Sequence, residues 1–312
     1  QLRTVGVGNE NSYSELLTLA ASSRRYGELY ISDYYELSRK KPPLQFCALC
    51  FHDEEDFSFL AYGGTDNSLA GWKENFMISF TRTESQDLAY QYAEKVICAG
   101  RRWYIGGHSK GSNLALYASC NLDDGKWDAI EHVYLLDGPG LCPEVLDQAL
   151  TDRVDAKCTQ FVPEFCVFGK IFAPKISDIR IVQSSASDIL QHPVITWGID
   201  HGKPAMAEDF DPVSLSINEA VDTWICHVSY AGRVIFTEEL FDALTADGDE
   251  TIDQIRAKGL EGMEAILLRL IRSSDSTKST LTALQKQVIK ANLNNLRNKV
   301  AGIFGGKGGQ TP

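Results

Sequence analysis

Nowhere do the 312 residues run apolar for about 18 positions, the length a helix needs to cross a bilayer, so no spanning helix is expected. Positive charge is also scarce. Lys and Arg number 30 against 42 Asp and Glu, giving a net charge of −12 at pH 7 and a pI near 5.0. Nucleic-acid binding needs a positive surface to neutralise phosphates, so that class of partner is excluded. The one basic cluster, Arg39-Lys40-Lys41, reads as a solvated turn. Metal-ligand pairs are missing too. Cys47 and Cys50 have ligand spacing, but no second Cys/His pair at zinc-site spacing accompanies them, and no metal is expected. The eight cysteines sit mostly inside apolar segments such as Phe46-Cys47-Ala48-Leu49-Cys50-Phe51. They read as small core hydrophobes and reduced thiols, which suits a cytoplasmic setting. A chain that starts at Gln1 carries no information on a removed N-terminal signal. No internal repeat is present.

What the chain does have is the make-up of an ordinary globular protein, 44% apolar and 23% charged, long enough to bury most of its apolar surface. A helix is expected over residues 14–27. Gln45–Phe51 and Phe57–Tyr62 are strand-like runs joined by the acidic turn Asp53-Glu54-Glu55-Asp56, a hairpin signal. Residues 86–99 place Leu88, Ala89, Tyr92, Ala93, Val96 and Ile97 on one helical stripe. Short apolar strands then alternate with helices: Trp103–Ile105, Val133–Leu136, Thr159–Val162 and Ile179–Val182. That pattern predicts an α/β fold with a mainly parallel sheet covered on both faces. Beyond about residue 235 the texture becomes helical and strand-free, over 238–244, 252–272 and 281–304. In the last, Leu281, Leu284, Val288, Leu293, Leu296 and Val300 form a stripe. Residues 1–235 are therefore expected to form the α/β domain and 236–304 a helical segment packed on it. The Gly-rich tail 305–312 is expected to be disordered.

Gly107-His108-Ser109-Lys110-Gly111 fits G-x-S-x-G. It directly follows the strand at Trp103–Gly106 and runs into the helix at Ser112–Cys120, the strand–turn–helix context the motif requires. A turn this tight strains the serine backbone and needs glycine on either side. It lifts the serine hydroxyl above the sheet edge and aims the Lys110 backbone N–H at the oxygen of an attacked carbonyl. The helix N-terminus adds partial positive charge. Ser109 is thus a candidate nucleophile. The plainer alternative is a glycine-rich turn with no chemistry.

The run Gly107-His108-Ser109-Lys110-Gly111-Ser112-Asn113-Leu114-Ala115 resembles the G-H-S-K-G-G-N-L-A signature of a group of bacterial lipase-like α/β hydrolases. These are in turn similar to class 3 (fungal-type) lipases. Further segments match in order: Gly64-Thr65-Asp66 with Gly71-Trp72-Lys73-Glu74-Asn75-Phe76, then Asp137-Gly138-Pro139-Gly140, then Gln191-His192 with Trp197. Four positions depart from the pattern: Gly63 where arginine is usual, Ser112 for a second glycine, Pro193 for aspartate and Cys166 where serine is common. The resemblance implies an α/β-hydrolase fold and a serine hydrolase that cleaves a carboxylic ester, a lipid ester among the options, with no organic cofactor or metal.

In that fold the order along the chain is Ser, acid, His. Of the histidines after Ser109, His192 lies in the loop after the strand at 179–182 and matches the motif, so it is the expected base. His201, flanked by Asp200 and Gly202, is the alternative; His132 sits at the wrong end of its strand, and His227 reads as packed. Asp137, at the end of the strand after the nucleophile helix, is the expected acid, with Glu164 after the next strand as the alternative. The oxyanion hole is assigned to the Lys110 N–H and, by resemblance to class 3 lipases, to Thr65. A thioesterase or peptidase using the same residues, and a hydrolase-like binding protein without turnover, are the rival readings. Substrate identity and oligomeric state are not encoded legibly.

Overall fold

The computed structural model describes residues 10–66, 68–142, 144–173 and 175–282. The expected helical stripe beyond residue 282 and the 305–312 tail lie outside the described residues. Helix α1 covers Glu10–Ser22 and is followed by the antiparallel strands β1 (Tyr30–Arg39), β2 (Leu44–His52) and β3 (Phe57–Tyr62). The expected hairpin is the β2–β3 pair. Asp53 closes its turn, the carboxylate accepting from the backbone N–H of Glu55 at 3.0 Å and of Phe57 at 2.9 Å. In contrast, β1 had no sequence signal. Its alternation is interrupted by a bulge between Ser32 and Tyr35, where Asp33 takes a left-handed φ of 53°.

From β3 onward every added strand is parallel: β4 (Arg102–His108), β5 (Ile130–Leu136), β6 (Cys158–Pro163) and β7 (Asp178–Val182). The seven strands lie side by side in chain order. Between them run α2 (Leu69–Met77), α3 (Glu84–Val96), α4 (Lys110–Asn121), α5 (Asp124–Trp127) and α6 (Gln148–Asp155). Helix α4 packs on β3, β4 and β5 and between α3 and α6. Its Leu114, Ala115, Leu116 and Ala118 are buried in one core with Trp103, Ile105 and Val133 of the sheet and Ala89, Tyr92 and Ala93 of α3. The opposite face carries a row of half-buried rings, with Phe57 against Tyr104 at 5.3 Å and Tyr104 against Tyr134 at 6.4 Å. This is the expected α/β-hydrolase fold, a mainly parallel sheet flanked by helices, with all five parallel strands ending at one edge.

After β7 the chain forms a small hairpin, β8 (Ile199–Asp200) and β9 (Lys203–Pro204), then α7 (Pro212–His227), α8 (Tyr230–Thr245), α9 (Ile252–Ala257) and α10 (Gly259–Ile271). The single helix expected over 252–272 is in fact two, broken at Gly259 with its φ of 57°. Helix α8 packs against α2, and Leu69 of α2 shares a cluster with Phe241, Ile255, Ile266 and Leu270. The cysteine reading needs one correction. Cys50, Cys120, Cys142, Cys158 and Cys166 are buried and free as expected, but Cys98 is exposed, just beyond the end of α3. Cys47 and Cys50 are three residues apart on β2, so they face opposite sides of the sheet.

Candidate active site

Ser109 stands alone between β4 and α4, with φ 57° and ψ −122°, a conformation that costs a non-glycine residue of order 1–3 kcal/mol. The surroundings hold it there. Its N–H donates to the Leu136 carbonyl at 2.9 Å. A Cβ on Gly107 would come within 2.4 Å of the Gly111 carbonyl carbon, and one on Gly111 within 2.3 Å of the Tyr62 carbonyl oxygen. The two glycines of the motif are therefore required by close backbone approach, not by left-handed φ. Gly138 is a third, its Cβ position only 2.3 Å from the Ser109 carbonyl oxygen.

Asp137 follows β5 directly, is 1% exposed and has a left-handed φ of 42°. His192 donates from Nδ1 to Asp137 Oδ2 at 2.6 Å. The other carboxylate oxygen, Oδ1, accepts from the Gly169 N–H at 3.0 Å and from the Cys166 thiol at 3.2 Å. Cys166, a departure from the family pattern, thus keeps a donor on Asp137. The His192 ring lies between Phe168 at 4.3 Å and His108 at 4.5 Å, centroid to centroid. His108, the residue before Ser109, also donates from Nε2 to the His192 carbonyl at 2.8 Å. A carbonyl can only accept, so this bond fixes the tautomer. Burial pushes the His108 imidazole down to about 4, with the neighbouring His192 acting in the same direction. The loop carrying His192 is shaped by its own motif. Trp197 Nε1 donates to the Gln191 carbonyl at 2.8 Å, and the Gln191 side chain accepts from the Phe165 N–H at 2.9 Å.

The upstream Gly64-Thr65 turn lies against the elbow, since a Cβ on Gly64 would be 3.1 Å from the His108 carbonyl oxygen. Thr65 Oγ1 is buried with no hydrogen-bond partner among the described residues. Lys110 begins α4, where the first backbone N–H groups lack intrahelical acceptors. Its side chain runs inward to Glu74 Oε2 at 2.6 Å. Burial lowers the Lys110 ammonium pKa, an effect that the Glu74 carboxylate opposes. Asn113, wholly buried on α4, donates to the carbonyls of Pro139 and Gly140 at 3.0 and 2.9 Å. It ties the loop after Asp137 to the helix after Ser109.

Among the sequence candidates, the fold brings Ser109, Asp137, His192, Lys110 and Gly64-Thr65 to one edge of the sheet. Glu164, directly after β6, ends at the same edge, but His192 pairs with Asp137 instead; His201 is not brought there. Glu164 pairs with Val182 and accepts from Asp211 through its backbone. His201 sits in the β8–β9 turn, its side chain 96% exposed and 3.6 Å from Asp200. His132 bonds Thr159 Oγ1 near the N-terminal ends of β5 and β6, and the side chain of His227 lies outside the described residues. Sequence reasoning missed the roles of His108, Gly169, Gln45 and Glu74. Glu74 and His108 had a signal, the first as part of the Gly-Trp-Lys-Glu-Asn-Phe segment and the second inside the Gly-His-Ser-Lys-Gly motif.

Comparison with known proteins gives one family match, to the Mbeg1-like model, over residues 20–242. No curated protein matches the chain. Among solved structures, "Crystal structure of M37 lipase" aligns at a TM-score of 0.39 and 13% identity over 51% of this chain. The alignment takes in 62% of that lipase, so the chain spans less than two thirds of its length.

Proposed function

The chain belongs to the Mbeg1-like family, and we propose that it is a serine hydrolase that cleaves carboxylic esters through an acyl-enzyme. The observation that carries this reading is the 2.6 Å bond from His192 Nδ1 to buried Asp137, whose neighbour Leu136 accepts through its carbonyl from the N–H of Ser109 in its strained strand-to-helix turn. With Nδ1–H committed to the carboxylate, Nε2 is left as the basic nitrogen. It takes the Ser109 hydroxyl proton as Oγ attacks the ester carbon. The imidazolium that forms is stabilised by Asp137, which stays ionised. The carbonyl oxygen becomes an oxyanion received by the Lys110 and Thr65 backbone N–H groups and the Thr65 hydroxyl. Collapse expels the alcohol, which takes the proton from Nε2. Water then repeats the sequence on the acyl-Ser109 ester, releasing the acid. Every group in this scheme is a side chain or backbone donor of the chain itself.

The family match and the fold support hydrolase chemistry; the ester class, and a lipid ester within it, follows from the sequence resemblance. The test is steady-state hydrolysis of a p-nitrophenyl ester chain-length series, run beside acyl-CoA and peptide substrates. Asp137→Asn is expected to lower kcat by about 10⁴ and His192→Ala by a comparable factor, while His201→Ala leaves it unchanged. Activity that survives His192→Ala and dies in His201→Ala would contradict the assignment.

A further inference from the structure

A lysine ammonium is costly to bury, and this one is complete: the Lys110 side chain is 0% exposed and that of Glu74 only 3%. Buried ion pairs of this kind contribute little net stability compared with apolar side chains of the same size. A pair placed one residue past the nucleophile therefore calls for a reason beyond stability, and its partners supply one. Glu74 Oε2 accepts from Lys110 Nζ and, at 2.9 Å, from the Gln45 backbone N–H. Lys110 Nζ also donates to the Gln45 carbonyl. The Gln45 side chain extends the chain of contacts, its Nε2 donating to the Gly64 carbonyl at 3.1 Å.

That carbonyl belongs to the same peptide unit as the Thr65 N–H. A trans peptide is planar, with oxygen and hydrogen on opposite sides, so holding the oxygen sets the direction of the N–H. One carboxylate thus reaches both residues that carry the proposed oxyanion donors, Lys110 through its side chain and Thr65 by way of Gln45 and the Gly64 carbonyl. The three residues come from β2, α2 and the first position of α4. Nearby, Thr65 Oγ1, Gln45 Oε1 and Glu74 Oε1 are buried and have no partner among the described residues. The Thr65 hydroxyl is free to turn toward an arriving oxyanion.

We infer that Glu74 and Gln45 are positioning residues that set the two oxyanion donors against Ser109, so that their effect falls on the transition state. The inference rests on the serine-hydrolase reading above. Its test compares full-length wild type with Glu74→Gln and Gln45→Met. Three quantities are measured: the second-order rate of fluorophosphonate labelling, kcat and KM for p-nitrophenyl acetate, and thermal melting. Misplacing a donor is expected to cost less than removing one, so kcat should fall about tenfold to a hundredfold in each variant. Labelling should slow by a similar factor, because the phosphonyl oxygen uses the same hole, with KM within about threefold. Variants that melt lower but label and turn over at the wild-type rate when folded would overturn the inference alone. A wild type that neither labels nor hydrolyses would overturn it together with the reading beneath it. Gln45→Met leaves the ion pair intact, so it decides the question if Glu74→Gln does not fold.

Discussion

At the scale of the residue, His108 shows how the site constrains a titratable group outside the proposed triad. It is neutral in the fold because burial holds it at about 4, whereas an unfolded histidine takes up its proton near 6.5. Between those values the unfolded chain binds the extra proton, so stability rises with pH across the window and is lost as pH falls from 6.5 towards 4. The shift corresponds to at most about 3 kcal/mol. His52 and His132 are also lowered by burial and act in the same direction. The melting temperature of wild type is therefore expected to drop between pH 7.5 and pH 5. His108→Gln, which removes the largest of these shifts, should show a smaller drop; an equal drop would count against it. The nucleophile, acid and base candidates were legible because each follows an apolar strand and carries glycine or a motif beside it. The reach of Glu74 to Lys110 was not, since 36 residues separate them and only the fold brings them together.

At the scale of the element, α2 connects the site to the rest of the chain. It is nine residues long, carries Glu74 on its buried side and begins at Ser68, whose Oγ accepts from the Gly71 N–H at 3.0 Å. Its first turn is further held by the Leu69 N–H bonding the Glu250 carbonyl at 2.8 Å. Ser68→Ala removes the cap and is expected to lower stability by about 1 kcal/mol. Because the cap is four residues from Trp72 and six from Glu74, the esterase rate should fall as well. Chemical denaturation and ester hydrolysis on the same samples would check both, and unchanged values would show that the cap is idle. Elements with a clean period, such as β2 and α3, were readable from sequence. Strand β1 was not, because Ser32, Asp33, Glu36 and Ser38 break its alternation and pairing with β2 supplies what the pattern lacks. The break at Gly259 was hidden for the opposite reason, since the helical period continues on both sides of it.

At the scale of the whole molecule, strand order does the positioning. With β3 to β7 parallel and adjacent in sequence order, the turns after β3, β4, β5 and β7 open on one edge. Gly64-Thr65, Ser109, Asp137 and His192 belong to those four turns, although 128 residues separate the first from the last. Alternating strands and helices made the sheet predictable, and the parallel arrangement makes the convergence of these residues a consequence of it. This edge is the proposed active site, with Ser109 as its nucleophile. Incubation with a fluorophosphonate followed by intact and peptide mass spectrometry tests it most directly. One adduct per chain is expected, on the peptide containing Ser109, and none in Ser109→Ala. A folded wild type that takes no adduct, or an adduct that persists in Ser109→Ala, would contradict it.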